Sequence, residues 1–359
     1  MKKGYIVLEN GKVFEGERFG AEKDVIGELV FTTGMEGYIE TLTDPNFYGQ
    51  IILHTFPLIG NYGWITPDEE NNNITACAYV VREWCREPSN FRCEGTVDAE
   101  LKRRGIPGIC GVDTRELTRI IREAGVMNAC ITDDPESVDI EALKAYRVKD
   151  AVANTFRTVG DKKYSADGEE RSRVTVIDYG NKHGIVSALT SRGCTVTVLP
   201  FSATAEEILA TKPEGVVLSD GAGDPADNAQ AIGEIKKLIG KVPMFGISLG
   251  HQLLALAMGA RTEKLKYGHR GGNQPVRYIE GNYVYISAQN HGYVVDTVSA
   301  EAVGGKITFV NVNDNTCEGV SYPEKKAFSV QFDPAVCSGP DSCEEILFGG
   351  FIKMVGGEN

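Results

Sequence analysis

The sequence predicts an α/β protein in two parts: a β-rich α+β domain over residues 1–160, then a domain over 173–359 with a mainly parallel central sheet. Three observations carry this expectation. The first half opens with short strand-like runs divided by Gly, Asn and Asp turns. The second half alternates apolar runs of strand length with helical stretches, the pattern of βαβ units covered on both faces. Between them, Gly160–Arg173 loses apolar periodicity and turns charged and polar, as an exposed connection does.

Taken in order, Tyr5–Leu8, Lys12–Phe14, Glu28–Thr32 and Ile51–His54 read as strands. Helical periodicity follows at Ala99–Arg104, at Thr114–Glu123 behind the cap candidate Asp113, and at Ile140–Tyr146. Beyond the polar stretch, strands are expected at Val174–Ile177, Thr195–Leu199, Gly215–Ser219 and Pro243–Ile247. Helices are expected near Gly184–Ser191, Ala205–Ala210 and Ala226–Ile239. Parallel sheets bind ligands beyond the carboxyl ends of their strands, so the loops after Ser219 and Ile247 are where chemistry is sought.

Composition removes several functions. With 359 residues, 42% of them hydrophobic, the chain can bury a core in each part. A net charge of −13 speaks against nucleic acid as a partner, because phosphate binding needs clustered Lys and Arg. The start, Met1 to Asn10, reaches charge after four apolar residues, too few for a signal core or membrane span, which places the chain in the cytoplasm. Nine cysteines, an odd number without a Cys-x-x-Cys pair, argue against a disulfide framework and against a zinc site; no metal is expected. They read as reduced thiols packed as small hydrophobes. The histidines are five, at 54, 183, 251, 269 and 291, so candidates for a general base are few.

After the strand Pro243–Ile247, the run Gly246-Ile247-Ser248-Leu249-Gly250-His251-Gln252 leads into a helical Leu253–Met258. Small residues at Gly246 and Gly250 allow a sharp turn that presents Ser248 at the positive end of a helix. Taken alone, Gly-x-Ser-x-Gly is the nucleophile elbow of serine hydrolases, for which Glu280 and His291 are the available acid and base. The longer pattern points elsewhere. Phe245 through Ala255, Lys266 through Val276, Ser219-Asp220-Gly221-Ala222-Gly223-Asp224-Pro225, Gln289-Asn290-His291-Gly292-Tyr293 and Ser329-Val330-Gln331-Phe332 together resemble the small subunit of carbamoyl phosphate synthetase, a class I glutamine amidotransferase. In the first half Gly37-Tyr38, Leu42-Thr43-Asp44-Pro45 and Asp113 to Thr118 do so as well.

The resemblance implies glutamine hydrolysis in the second domain and delivery of ammonia to a large subunit, which makes carbamoyl phosphate for arginine or pyrimidine synthesis. It implies no cofactor in this chain, with ATP and magnesium on the large subunit. In that family a Cys attacks the amide, a His acts as base and acid, and a Glu orients the His. These three roles fall here on Ser248, Asp333 and Ala335. A serine hydroxyl needs a positioned base where a thiol ionises near neutral pH, a carboxylate is a weak one, and alanine orients nothing. Weak or absent glutaminase activity follows as an expectation. The remaining machinery is retained: backbone donors for the oxyanion at Gly221 and Leu249, and glutamine-contacting positions at Gln252, Asn290, Gly292 and Tyr293, with Gly223 beside the loop. Ala222 stands where the family commonly has Pro, and Gly34 where it often has a Ser that contacts glutamine. Pro334 and Gly339-Pro340 keep the family's spacing after Phe332, which implies a retained backbone. Two further roles stay open, a glutamine-sensing or regulatory subunit without catalysis and a serine hydrolase using Ser248.

Overall fold

The computed structural model describes residues 2–156, 162–338 and 343–357. It divides into two compact units, one of Met1–Lys149 with His269–Gly271, the other of Asp150–Gly268 with Gly272–Asn359. The division falls ahead of the polar stretch 160–173, and within that stretch Lys162–Tyr164 is a strand paired antiparallel with Cys194–Pro200. Of the positions named above, Gly160, Gly339 and Pro340 lie outside the described residues.

In the first unit the strand-like runs close on themselves. Lys3–Leu8, Val13–Gly20, Pro107–Cys110, Ala78–Val80, Gln50–His54, Val25–Thr32 and Met127–Thr132 form a closed barrel in that order. Closure joins the ends of the chain segment, Tyr5 opposite Thr132 and Leu8 opposite Ala129. Asp113 caps the helix Thr114–Ala124 as its position suggests, its carboxylate accepting the Glu116 N–H at 3.0 Å.

In the second unit Cys194–Pro200, Ser172–Tyr179, Gly215–Gly221, Met244–Ile247 and Ala327–Val330 lie side by side and parallel. Their continuous apolar faces explain why single runs of Val, Ile and Leu marked them in sequence. From Ala327–Val330 the sheet continues antiparallel through Cys317–Tyr322, Lys306–Asn311, Thr262–Tyr278, Tyr283–Val295 and Asp333–Ser338, so the parallel part is one side of a larger mixed sheet. The helix Ala205–Ala210 starts with a complete capping box, Thr204 and Glu207 each bonding the other's backbone N–H. Among the described residues no helix is long and apolar enough to cross a membrane. Of the nine cysteines, Cys110, Cys130, Cys194, Cys317 and Cys343 are buried and Cys77, Cys85, Cys93 and Cys337 half-buried.

Candidate active site

Three loops gather where the parallel strands end, and each is shaped by a local demand of the sequence. Met244–Ile247 passes into the helix Leu249–Met258 through Ser248, whose φ of 51° and ψ of −107° lie outside the regions an L-residue favours. Its glycines are obligatory. A Cβ on Gly246 would sit 2.6 Å from the Gly250 carbonyl oxygen, and one on Gly250 would sit 2.2 Å from that of Leu218. Backbone bonds pin the bend: the Ser248 N–H donates to Val330 O at 2.8 Å and the Gln252 N–H to Ser248 O at 3.2 Å. Leu249 opens the helix, so its N–H belongs to the first turn, which has no intrahelical acceptor.

The loop after Gly215–Gly221 is tied down by Ser219, whose hydroxyl accepts the Tyr179 N–H at 3.0 Å and donates to Asp220 O at 2.8 Å. Gly221 packs so closely that a Cβ would lie 2.6 Å from Tyr179 O and 2.7 Å from Leu249 Cδ2, so its loop rests against the Leu249 side chain. Gly223 takes φ 93° and a Cβ there would strike Ala151 at 2.7 Å. Asp224 closes the loop by accepting the Ala226 N–H at 2.9 Å. Ala222 is buried.

The third loop follows Ser172–Tyr179 and supplies a residue that sequence analysis did not single out. Asp178 accepts the N–H groups of Gly180 at 3.0 Å and Asn181 at 2.9 Å, an Asx turn that presents Lys182. Lys182 Nζ lies 3.3 Å from Asp333 Oδ2 and 3.8 Å from Asp220 Oδ2, and the three side chains are 12%, 15% and 4% exposed. The other oxygen of Asp333 accepts the Ala335 N–H at 2.9 Å. Both oxygens of Asp333, the residue on which the resemblance places the base, are therefore engaged, one by an ammonium and one by backbone. Ala335 offers a methyl group, against which a Cβ on Gly184 would rest at 3.4 Å. The available signal for Lys182 was its place three residues past a parallel strand; a lone lysine in a polar loop has no motif to mark it.

Ser248 is 8% exposed and among the described residues its hydroxyl has no hydrogen-bond partner. Neither nearby-in-sequence histidine serves it. His251 is fully buried with Nδ1 2.8 Å from Ser329 Oγ, and burial pushes its imidazole down to about 3, so it stays neutral. His291 Nδ1 faces Tyr293 O at 2.8 Å and its Nε2 faces Gln289 Oε1 at 2.9 Å, which engages both ring nitrogens. Glu280, the acid available to a serine-hydrolase triad, is instead an exposed residue near the Tyr278 hydroxyl at 3.4 Å and Lys306 at 4.0 Å. The carboxylate near His291 is Glu318, buried, at 4.0 Å.

Asn290-His291-Gly292, a pattern common in turns, lies inside the strand Tyr283–Val295. Asn290, Gly292 and Tyr293 are half-buried there. Gln252 is buried, and its amide nitrogen donates to Tyr293 O and to Gln331 Oε1, both at 2.8 Å. Gln331 is thus a second unforeseen member, holding Gln252 against the strand that carries Tyr293. Among the described residues no base is hydrogen-bonded to the Ser248 hydroxyl to take its proton.

Residues 6–131 match the family described as carbamoyl-phosphate synthase small chain, CPSase domain, and residues 175–354 match glutamine amidotransferase class-I. A carbamoyl phosphate synthase small chain from Clostridium perfringens is 46% identical over 353 residues, covering 98% of this chain and 99% of the relative. One from Bacillus caldolyticus is 45% identical, with 98% and 96% covered. The carbamoyl phosphate synthase pyrimidine-specific small chain of Bacillus subtilis is also 45% identical, with 98% and 95% covered.

Proposed function

The chain belongs to the carbamoyl phosphate synthase small-chain family, and we propose that it docks on a large subunit while releasing little or no ammonia from glutamine itself. Synthesis in the complex then runs from free ammonia, with ATP and magnesium bound by the large subunit. The observation that supports this is the isolation of the Ser248 hydroxyl: Asp333 is bound by Lys182 and by the Ala335 N–H, His291 is engaged at both ring nitrogens, and His251 is bonded through Nδ1 to Ser329 with its Nε2 buried among the described residues without a partner. A hydroxyl without a base is a poor nucleophile, and loss of a whole triad costs on the order of 10⁶ in rate. Ser248 and Asp333 would occupy the catalytic positions, with Gly221 and Leu249 as oxyanion donors. Gln252, Asn290, Gly292 and Tyr293 would line the glutamine site beside Gly223. The pyrimidine-specific name of the Bacillus subtilis relative supports pyrimidine synthesis, ahead of arginine synthesis, as the destination of the product.

The test is ammonia release from glutamine by the purified chain with and without its large subunit, beside carbamoyl phosphate synthesis from ammonium. Release at background in both cases with synthesis from ammonium is the expected result. Glutamine-dependent synthesis at the ammonium rate would sink the proposal. A second reading, a glutamine-sensing or regulatory subunit, is favoured by the close packing of Gly221 against Leu249, since backbone donors there would bind an amide oxygen as well in a dead site as in a live one. Calorimetry separates the two readings: glutamine binding without turnover, together with altered large-subunit kinetics, belongs to the second alone.

A further inference from the structure

Gln252 and Gln331 are both buried, and their mutual bond settles which way each amide faces. Gln252 lies near the start of the helix Leu249–Met258, and its amide nitrogen carries two protons. One goes to Tyr293 O and the other to Gln331 Oε1, each at 2.8 Å. The Tyr293 oxygen is a backbone carbonyl and can only accept, so the Gln252 atom that meets it must be the nitrogen. Turning the amide over would set two oxygens against each other at the same distance. The Gln331 atom that meets this nitrogen must in turn be an oxygen. Gln331 is itself held by its backbone, following the strand Ala327–Val330 with its N–H donating to Glu318 O at 2.9 Å. Its own amide nitrogen is buried without a partner among the described residues. An unmet buried donor costs stability, and a methionine of similar size would avoid it. What Gln331 supplies in exchange is an acceptor for the second proton of Gln252. Both donors of Gln252 are thereby used inside the protein. Its Oε1 accepts no hydrogen bond among the described residues, and is what this amide has left to offer a ligand.

We propose that Gln331 is a positioning residue that sets the polarity of the glutamine site: by using up the donors of Gln252 it leaves a fixed acceptor there, and the site selects ligands that bring an N–H group to it. This rests on the reading of Gln252 and Tyr293 as part of a glutamine site. An amino acid amide carries two such groups, the α-ammonium and the carboxamide, and either satisfies the Gln252 oxygen. A carboxylate in the same place meets a lone pair and is repelled, and an apolar group leaves the oxygen unpaired. Gln331 acts through Gln252 and does not itself touch the ligand.

The experiment is calorimetric titration of the full chain with three ligands: glutamine, glutamate, which replaces the carboxamide by a carboxylate, and glutaramate, which lacks the α-ammonium. Glutamine is expected to bind about tenfold tighter, or better, than at least one analogue, and the analogue that fails identifies the donor that Gln252 reads. In Gln331→Met that ratio should shrink to about threefold, because Gln252 loses one of its two anchors and its oxygen is no longer held in place. Gln331→Glu keeps an acceptor opposite Gln252 and should restore the parent ratio. It carries the folding risk of a buried carboxylate, and the neutral Gln331→Met makes the main test without it. Equal weakening of all three ligands in Gln331→Met would overturn the proposal, since that is what loss of packing alone produces. Unchanged affinities in that variant would do the same, as would equal binding of the three ligands by the parent chain. A parent chain that binds no glutamine would remove the glutamine site itself and the proposal with it, an outcome seen before any substitution is made.

Discussion

The bend at Ser248 and the strand beginning at Asp333 border the same end of the sheet, the one defined by its backbone and the other by its side chains. At Ser248 the backbone forms an elbow whose side chain is a hydroxyl: Gly246 and Gly250 fit where no Cβ could, and the Ser248 N–H holds Val330 O at 2.8 Å. At Asp333 the chain continues in strand, paired with Ala288, and the side chains at the positions proposed for base and orienter are an ion-paired carboxylate and a methyl group. Backbone shape here is enforced by close packing and hydrogen bonds that stability requires regardless of catalysis. Side-chain chemistry has no such protection. Its loss leaves the fold satisfied, and a neighbouring lysine supplies the new carboxylate with a partner.

If that division is real, chemistry should be recoverable by side chains alone. The triple change Ser248→Cys, Asp333→His, Ala335→Glu restores the three group types on a retained backbone. It is expected to raise glutamine hydrolysis by about 10³-fold or more over the parent chain, since triad members act as a unit worth on the order of 10⁶. Each single change should stay at background, because a nucleophile without a base and a base without an orienter gain little. Ammonia release by the triple variant, in complex with the large subunit, is the measurement. A triple variant as silent as the single ones would show that the backbone has drifted as well, and the contrast between the two regions would fail.

The converse change strikes the geometry. Gly250→Ala places a Cβ 2.2 Å from Leu218 O, a backbone atom that cannot swing aside as a side chain would. Helix propensity favours Ala over Gly by about 1 kcal/mol, so an exposed helical site would gain stability. Here overpacking against the sheet should dominate, with a net loss of about 3 kcal/mol or more, read as a lowered urea midpoint. Asp333→Ala makes a matched control, as it removes a side chain 15% exposed rather than inserting one into a closed space, and leaves Lys182 with Asp220.

How far sequence revealed this molecule follows the same physics. The parallel strands Ser172–Tyr179, Cys194–Pro200 and Gly215–Gly221 were legible because burial on both faces forces continuous apolar runs, and the helix Ala205–Ala210 between the last two carries its own capping box. Barrel closure was not, since it rests on pairing Lys3–Leu8 with Met127–Thr132 across more than a hundred residues. Nor was the antiparallel side. Thr262–Tyr278 contains Gly268, Gly271, Gly272 and Pro275, each of which reads as a break in a strand. At the site, the elbow and the glycine loop were legible because steric demands leave few residues permitted. Lys182 and Gln331 were not, because their roles depend on partners distant in the chain, Asp333 for one and Gln252 for the other.

The smallest effect bears on what the retained elbow costs. Ser248 holds φ 51° and ψ −107°, a conformation that disfavours any residue with a Cβ, and among the described residues its hydroxyl gains no hydrogen bond in return. Such strain can serve to project a nucleophile; under the proposed function no reaction at Ser248 uses it. Ser248→Gly removes the Cβ and should therefore stabilise the folded chain by about 1 kcal/mol, the relief of backbone strain exceeding the extra freedom that Gly gives the unfolded state. Ser248→Ala keeps the Cβ and loses only an unbonded hydroxyl, so its urea midpoint should stay within about 0.5 kcal/mol of the parent. A glycine variant less stable than the alanine variant would mean that the serine is held by interactions other than those at its backbone. The bend would then be an asset of the present molecule rather than an inheritance from a catalytic one.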